Sequence, residues 1–166
     1  MSGVLSLILA SAMPCVALAS EDLSSVDELA LGGNQTVAIQ AGDFLDANIS
    51  QQGRVNHVYL AQSGHSSSAY ITQQGDANQV GLTQTGLDIE ASLSQSGYGN
   101  QIYANQAGDN LYLNVIQAGT DNLALINQTG YENSIWVQQY GSGNAVSVTQ
   151  WGNSQQTVIT QGHSSN

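Results

Sequence analysis

The sequence has almost no positive charge. It contains one Arg and no Lys among 166 residues, against 12 Asp and Glu, and its formal net charge is −11. A nucleic-acid-binding surface needs clustered cations to contact phosphates, so we expect no nucleic-acid site. The same shortage disfavours attachment to anionic lipid through a basic patch.

Cysteine, proline and charged residues of either sign are also scarce. The chain has one Cys and one Pro, and charged residues make up 8% of it, against about 25% in an ordinary soluble domain. Cys15 lies in an N-terminal segment that we expect to be removed. The remaining chain would have no disulfide, no thiolate nucleophile and no cysteine-based metal site. Amides, small hydroxyl residues and 18 Gly replace the missing charge.

Residues 1–19 have the features of a signal peptide. Residues 4–10 form a short apolar run, and residues 17–19 (Ala-Leu-Ala) form a small-x-small cleavage signal. Cleavage after Ala19 predicts export of the protein. Residues 20–33 then hold four of the twelve acids, and we interpret them as an acidic, solvated leader.

The rest of the chain, residues 34–166, repeats every eleven residues around a glutamine. A glutamine occupies the same position in twelve consecutive units, and a glycine follows it two residues later in eleven of the twelve units. The glutamines are Gln40, Gln51, Gln62, Gln73, Gln84, Gln95, Gln106, Gln117, Gln128, Gln139, Gln150 and Gln161. The glycines are Gly42, Gly53, Gly64, Gly75, Gly86, Gly97, Gly108, Gly119, Gly130, Gly141 and Gly152.

Other positions of the unit are also constrained, and one of them doubles the period. The residue two before each glutamine is always apolar, and the residue four before it is apolar except at Thr36 and Thr157. Asparagine recurs six before every second glutamine, at Asn34, Asn56, Asn78, Asn100, Asn122 and Asn144. The true repeat is therefore two units long and has two similar halves. Its six copies are residues 34–55, 56–77, 78–99, 100–121, 122–143 and 144–165.

Within each unit the constrained positions alternate, which indicates a strand with one face in a core. An eleven-residue period also suits a right-handed helical coiled coil, but a Gly in nearly every unit would cost a helix about 1 kcal/mol each. We therefore predict an all-β fold, a β-solenoid of six 22-residue strand-turn-strand rungs with two parallel sheets facing each other. Each unit would contribute a strand of about seven residues and a turn of about four residues around its glycine.

In this solenoid the repeated glutamines and asparagines would point inward and form amide ladders along the stack. Bonding between successive amides removes the penalty of burying them. We expect unpaired strand edges at the 34–55 and 144–165 rungs, where further strands could add. Such identical rungs do not bring unlike groups together, so we expect no enzymatic activity and no cofactor.

The pattern Gln-x-Gly-x-x-Asn-x-Ala-x-Ile-x-Gln, which returns with every second unit behind a signal peptide, resembles that of the curlin family. Residues 50–62 (SQQGRVNHVYLAQ) are a representative stretch. The resemblance implies a bacterial subunit, secreted unfolded, that polymerises into extracellular cross-β curli fibres for adhesion and biofilm matrix. It implies as partners other copies of the chain, a second curlin subunit and a curli outer-membrane secretion apparatus. The short acidic leader is closer to that of the minor nucleator subunit, whereas the last repeat lacks the nucleator's basic residues, so both roles stay open.

Other functions have weaker support in the sequence. His57, His65 and His163 share no common spacing and fall on outward or turn positions, so we interpret them as surface residues. No Ser-His-Asp order or nucleophile elbow suggests a hydrolase, and the Gly-Asp pairs do not have the period of calcium-binding repeats. A monomeric solenoid that binds ice or a glycan is the remaining alternative. Ice binding would need an outward row of threonines, and the outward residues before the glutamines form none.

Overall fold

A computed structural model of the protein describes residues 3–9, 15–19 and 33–162, and all regular structure in them is β-strand. The described residues contain no helix that is long and apolar enough to cross a membrane. The strands are β1 (Gly3–Leu9), β2 (Cys15–Ala19), β3 (Gln35–Asp43), β4 (Leu45–Gln52), β5 (His57–His65), β6 (Ser68–Asp76), β7 (Gln79–Leu87), β8 (Glu90–Tyr98), β9 (Gln101–Asp109), β10 (Tyr112–Thr120), β11 (Leu123–Tyr131), β12 (Ser134–Ser142), β13 (Ala145–Asn153) and β14 (Gln156–Gly162).

Strands β3 to β14 wind into six rungs, each of one odd-numbered and one even-numbered strand. The odd strands β3 to β13 form one parallel sheet and the even strands β4 to β14 form the other. Each strand pairs with its equivalent in the next rung, so that Gln62 lies beside Gln84 and Val115 beside Val137. The predicted β-solenoid with two parallel sheets is confirmed.

The core lies between the two sheets and follows from the alternation along each strand. In β5, for example, Val58, Leu60 and Gln62 are buried, and Tyr59 between them is exposed. Stacking then places Leu60 beside Leu82 in one sheet and Ile71 beside Leu93 in the other, all almost completely buried. Full burial of such a side chain contributes about 1.5–3 kcal/mol.

The strands are longer and the corners shorter than the sequence predicts. Strands β5 to β13 each have nine residues, and two residues separate one strand from the next. The expected strand of about seven residues with a four-residue turn is therefore wrong. The glycines predicted to lie in turns occupy the second-last position of their strands, except Gly53, which directly follows β4.

Each corner is instead made by a residue in the left-handed conformation, four positions after the glutamine. Nine of these eleven residues are not glycine, and their φ angles lie between 53° and 59°. They are Phe44, Val55, Ser66, Ala77, Asp88, Asn110, Asp121, Glu132 and Ser154, and Gly99 and Gly143 complete the series. Left-handed backbone costs an ordinary residue roughly 1–2 kcal/mol. At the nine corners from Ser66 to Ser154, a hydrogen bond to the preceding rung holds this backbone, as where the Ser66 N–H donates to the Asp43 carbonyl at 3.0 Å.

The two ends of the solenoid differ. At the first rung, β1 pairs antiparallel with β4 and β2 pairs antiparallel with β3, so that Ala19 lies beside Thr36. The expected unpaired edge at residues 34–55 is therefore wrong for the full chain. At the last rung, β13 and β14 have no partner strand on their outer edges among the described residues. The predicted leader, apart from Gly33, and residues 163–166 with His163 lie outside the described residues.

Candidate functional site: the amide ladders and the end rungs

The twelve repeated glutamines form two continuous ladders, and all of them are buried in the core except Gln161, which is half-buried at the last rung. The odd ladder joins Gln40, Gln62, Gln84, Gln106, Gln128 and Gln150, and the even ladder joins Gln51, Gln73, Gln95, Gln117, Gln139 and Gln161. In every link the Nε2 of one glutamine donates to the Oε1 of its equivalent in the next rung, over 2.7–3.1 Å. Each ladder therefore has a direction, with an acceptor oxygen at its first member and a donor N–H at its last.

In every ladder glutamine from Gln51 to Gln161, the second hydrogen of the amide connects the two sheets. Gln117 in β10 donates to the Gln101 carbonyl of β9 at 2.9 Å, and Gln139 in β12 donates to the Leu123 carbonyl of β11 at 3.0 Å. Among the described residues no buried side-chain nitrogen or oxygen lacks a hydrogen-bond partner. Since an unpaired buried amide costs about 1–3 kcal/mol, the ladders allow a polar core without that penalty.

The six repeated asparagines form a third ladder, at the corners that directly precede the odd-numbered strands. The Asn78 side chain donates to Asn56 Oδ1 at 3.2 Å and to the Gly97 carbonyl at 3.1 Å. The Asn78 backbone N–H also donates to Asn56 Oδ1, at 3.0 Å. This ladder runs from Asn34 to Asn144, with donors facing the opposite way from those of the glutamines.

Sequence reasoning missed one asparagine of this kind at the opposite corners. Asn133 donates to the carbonyls of Thr129 and Gly152 and accepts from the Gln155 backbone N–H. Its position six before Gln139 could have revealed it. The equivalent residues one rung earlier and one rung later are Leu111 and Gln155, so no repeating asparagine marked this corner.

The eleven glycines that lie two residues after a ladder glutamine, from Gly42 to Gly152, stack on one another from rung to rung, and we call them the glycine column. Glycine is needed in this column chiefly because the backbones of successive rungs approach each other closely. Gly108 has φ of 140°, and a Cβ built on it would overlap the carbonyl oxygen of Gly130. Every glycine of the glycine column from Gly42 to Gly130 meets the glycine of the next rung in the same way. At Gly141 and Gly152, next to the free end, no described backbone atom occupies that space.

Charge is distributed unevenly around the solenoid. Arg54 and Asp76, one rung apart, form an exposed ion pair at 3.3 Å, of a kind worth little in water. Six of the eight acids in residues 33–162 lie at the corners that follow odd strands. They are Asp43, Asp46, Asp88, Glu90, Asp109 and Glu132. Here the pKa of Tyr131 is raised, first by hydrogen bonding to Glu132 and by its charge, and further by Asp109.

The outer faces present aromatic side chains. Gly81 leaves a groove of about 620 Å³ between Tyr59 and Tyr103, and the Tyr103 hydroxyl donates to Gln79 Oε1 at 3.0 Å beside it. His57 lies on this face, and His65 packs edge-on against Phe44. Among the described residues no three His, Cys, Asp or Glu side chains lie close enough together to hold a metal ion.

The comparison with known families matches the repeated part of the chain. The model of the curlin associated repeat matches the chain three times, over residues 42–75, 86–119 and 119–152. These matches cover more than half of the chain. The chain belongs to the curlin family. Each curlin match begins and ends on a glycine of the column and spans three eleven-residue units.

No curated protein and no solved structure matches this curlin chain. The family and the solenoid fold are those of a structural, fibre-forming protein rather than of an enzyme. In this curlin the site of interest is therefore the end rungs. Among the described residues the outer strand edges of the last rung are unpaired, and β1 and β2 cover those of the first rung.

Proposed function

We propose that this curlin is a structural subunit that is exported and polymerises through its end rungs into extracellular cross-β fibres for adhesion and biofilm matrix. The observation that carries the proposal is the match between the free last rung and the first rung. If β3 of a second copy pairs with β13 at the offset used inside the solenoid, Gln40 stacks on Gln150 and Gly42 on Gly152. The same placement continues the even ladder from Gln161 to Gln51.

The N-terminal segment fits this function as a removable part. Strands β1 and β2 occupy the outer edge of the first rung, and the proposed cleavage after Ala19 would remove both of them. The edges of β3 and β4 would then be free to pair with the last rung of another copy. Export of this kind requires a secretion apparatus in the outer membrane as a partner.

The test is fibre formation by the purified chain. We expect fibres whose diffraction shows a meridional spacing of about 4.7–4.8 Å and an equatorial spacing of about 10 Å. The free edge can be blocked by Ala145→Pro. Leu123, the equivalent of Ala145 one rung earlier, donates its backbone N–H to the Asn144 carbonyl of the next rung at 2.8 Å. Proline has no N–H with which to make the corresponding bond to a second copy. Ala145→Gly keeps the N–H and is the matched control. A wild-type chain that stays monomeric and never seeds further assembly would contradict the proposal.

A nucleating role is the alternative within the same function. A minor nucleator would start fibres of a second curlin subunit at the cell surface rather than form their bulk, and the short acidic leader favours it. Addition of the chain in small amounts to a second curlin subunit separates the two roles. A nucleator added in small amounts shortens the lag before the other subunit forms fibres. A major subunit instead forms fibres by itself, without the other subunit.

A further inference from the structure

The two threonines that interrupt the apolar pattern lie at the two ends of the solenoid. The inward position four before each glutamine is apolar in ten units, and Thr36 in β3 and Thr157 in β14 are the exceptions. These are the first and the last strand of the six rungs. Threonine has nearly the shape of valine but carries a hydroxyl group, which makes it a poor substitute for an apolar side chain in a core. A reason for that hydroxyl group should therefore exist at both ends and at no rung between them.

The hydroxyl groups bond to the ends of the glutamine ladders. Thr36 Oγ1 donates to Gln51 Oε1 at 2.9 Å, and Gln51 is the first member of the even ladder. At the other end, the Gln150 Nε2 donates a hydrogen bond to Thr157 Oγ1 at 3.0 Å, and Gln150 is the last member of the odd ladder. A hydroxyl group can donate at one end and accept at the other, so the same residue type satisfies both.

Inside the stack the corresponding positions need no hydroxyl group. Ile135 occupies the position of Thr157 one rung earlier, where Gln128 donates to Gln150 instead. Val58 occupies the position of Thr36 one rung later, where Gln73 accepts from Gln51. An apolar side chain thus stands wherever the ladder continues, and threonine stands at these two places where it stops.

We propose that Thr36 and Thr157 are ladder caps that each satisfy one terminal amide, Gln51 of the even ladder and Gln150 of the odd ladder, and so oppose the joining of the subunit to a second copy. At a junction between copies, the Gln150 amide would face Gln40 Oε1 of the next copy, the partner for which Thr157 substitutes. The Gln150 amide of the free subunit therefore already has a partner, and joining gains less than it would without the cap. The inference rests on the proposed function, because it assigns control of end-to-end assembly to two named side chains.

The test removes the Thr157 cap at the last rung. Each variant is expressed as the full chain with residues 1–19, so that any cleavage after Ala19 occurs as in the wild type. Thr157→Val leaves the buried Gln150 N–H without a partner in the free subunit, whereas the next copy restores one in the fibre. We expect the concentration of subunit left soluble at the end of assembly to fall at least threefold, with a shorter lag. Thr157→Ser keeps the hydroxyl group and should behave as the wild type does. Thr160→Val, on the exposed face of the same strand, is the matched control.

A double-mutant comparison separates capping from simple hydrophobicity. In a Gln150→Leu background no amide remains to be capped, so Thr157→Val should no longer lower the soluble concentration. The proposal is overturned if Thr157→Val assembles as the wild type or as Thr160→Val does, or if its effect persists with Gln150→Leu. These results would leave the proposed function intact, since the wild type would still form fibres. A wild type that forms none would contradict the proposed function itself.

Discussion

At the scale of single residues, a glycine of the column meets two demands at once. Its φ is positive, and it faces the backbone of the next rung with no space for a side chain, as at Gly108. The corner residues meet only the first demand. Ala77 has φ of 59° at a corner, which shows that alanine fits the left-handed backbone there.

This difference predicts unequal effects of the same substitution. Gly143→Ala changes a corner glycine with no described atom within 4 Å of the added Cβ, and should lower the free energy of unfolding by about 1 kcal/mol or less. Gly108→Ala forces a Cβ against the Gly130 carbonyl, and should lower it by roughly 1–3 kcal/mol more through overpacking. The measurement is the urea concentration at which half of the β-structure circular dichroism is lost. Equal shifts would mean that close approach of the rungs is not what the column requires.

At the scale of strands and ladders, alternation assigns neighbouring side chains of one strand to different environments. In β9 the Gln106 side chain is fully buried, accepts from Gln84 at 3.1 Å and donates to Gln128 at 3.0 Å. Gln101 begins the same strand on the outer face and is half-buried. We therefore expect a glutamine in the buried ladder, such as Gln106, to contribute more to stability than a glutamine on the outer face, such as Gln101.

Gln106→Ala interrupts the odd ladder in the middle and leaves neighbouring amides unpaired, at roughly 1–3 kcal/mol. We expect a clearly longer lag in thioflavin-monitored assembly. Gln101→Ala makes the same chemical change on the outer face and should lengthen the lag much less. If both variants assemble with equal lag times, the inward ladder does not contribute as described.

The strands and their pairing were predictable because the alternation within a strand and the doubled repeat each have one structural solution. The alternation around Leu60 fixes which face is buried, and the asparagine series fixes the pairing offset. The corners were not predictable from local signals. Phe44, Val55 and Glu132 are not turn-forming residues, and yet their backbone is left-handed. At Glu132 the backbone N–H donates to the Asp109 carbonyl of the preceding rung at 3.1 Å, a contact that no local sequence signal reveals. The pairing of β1 and β2 with the first rung also has no periodic signal, because residues 1–19 lie outside the repeat.

At the scale of the whole molecule, the solenoid stacks like a one-dimensional array in which each rung contacts its neighbours. The charges of successive copies are therefore brought close together in a fibre. With a formal net charge of −11 and a single Arg, the chain cannot neutralise its acids internally. The acids after the odd strands form one edge of the solenoid, so repulsion should be concentrated there.

Repulsion of this kind predicts a dependence of assembly on salt and pH. The lag should shorten from low salt to about 0.1–0.15 M, where the Debye length falls to about 8–10 Å. It should shorten again as the pH falls toward the sequence pI of about 4.1, because the net charge approaches zero. Thioflavin-monitored assembly of the purified single subunit across a salt series is the measurement. A lag that stays constant or lengthens with salt would show that repulsion does not limit assembly.

The most direct test of the solenoid in the fibre is whether residues one repeat apart are neighbours within one molecule. Ala69 in β6 lies beside Ala91 in β8, and both are buried in the same inward column. Solid-state NMR on fibres labelled at both alanines should detect a contact between them across one rung, about 4.8 Å. We expect this contact to persist when labelled chains are diluted in a large excess of unlabelled ones, because it is intramolecular. Its loss on dilution, or contacts of Ala69 only with Ala69 of other molecules, would contradict the six-rung solenoid as the unit of the fibre.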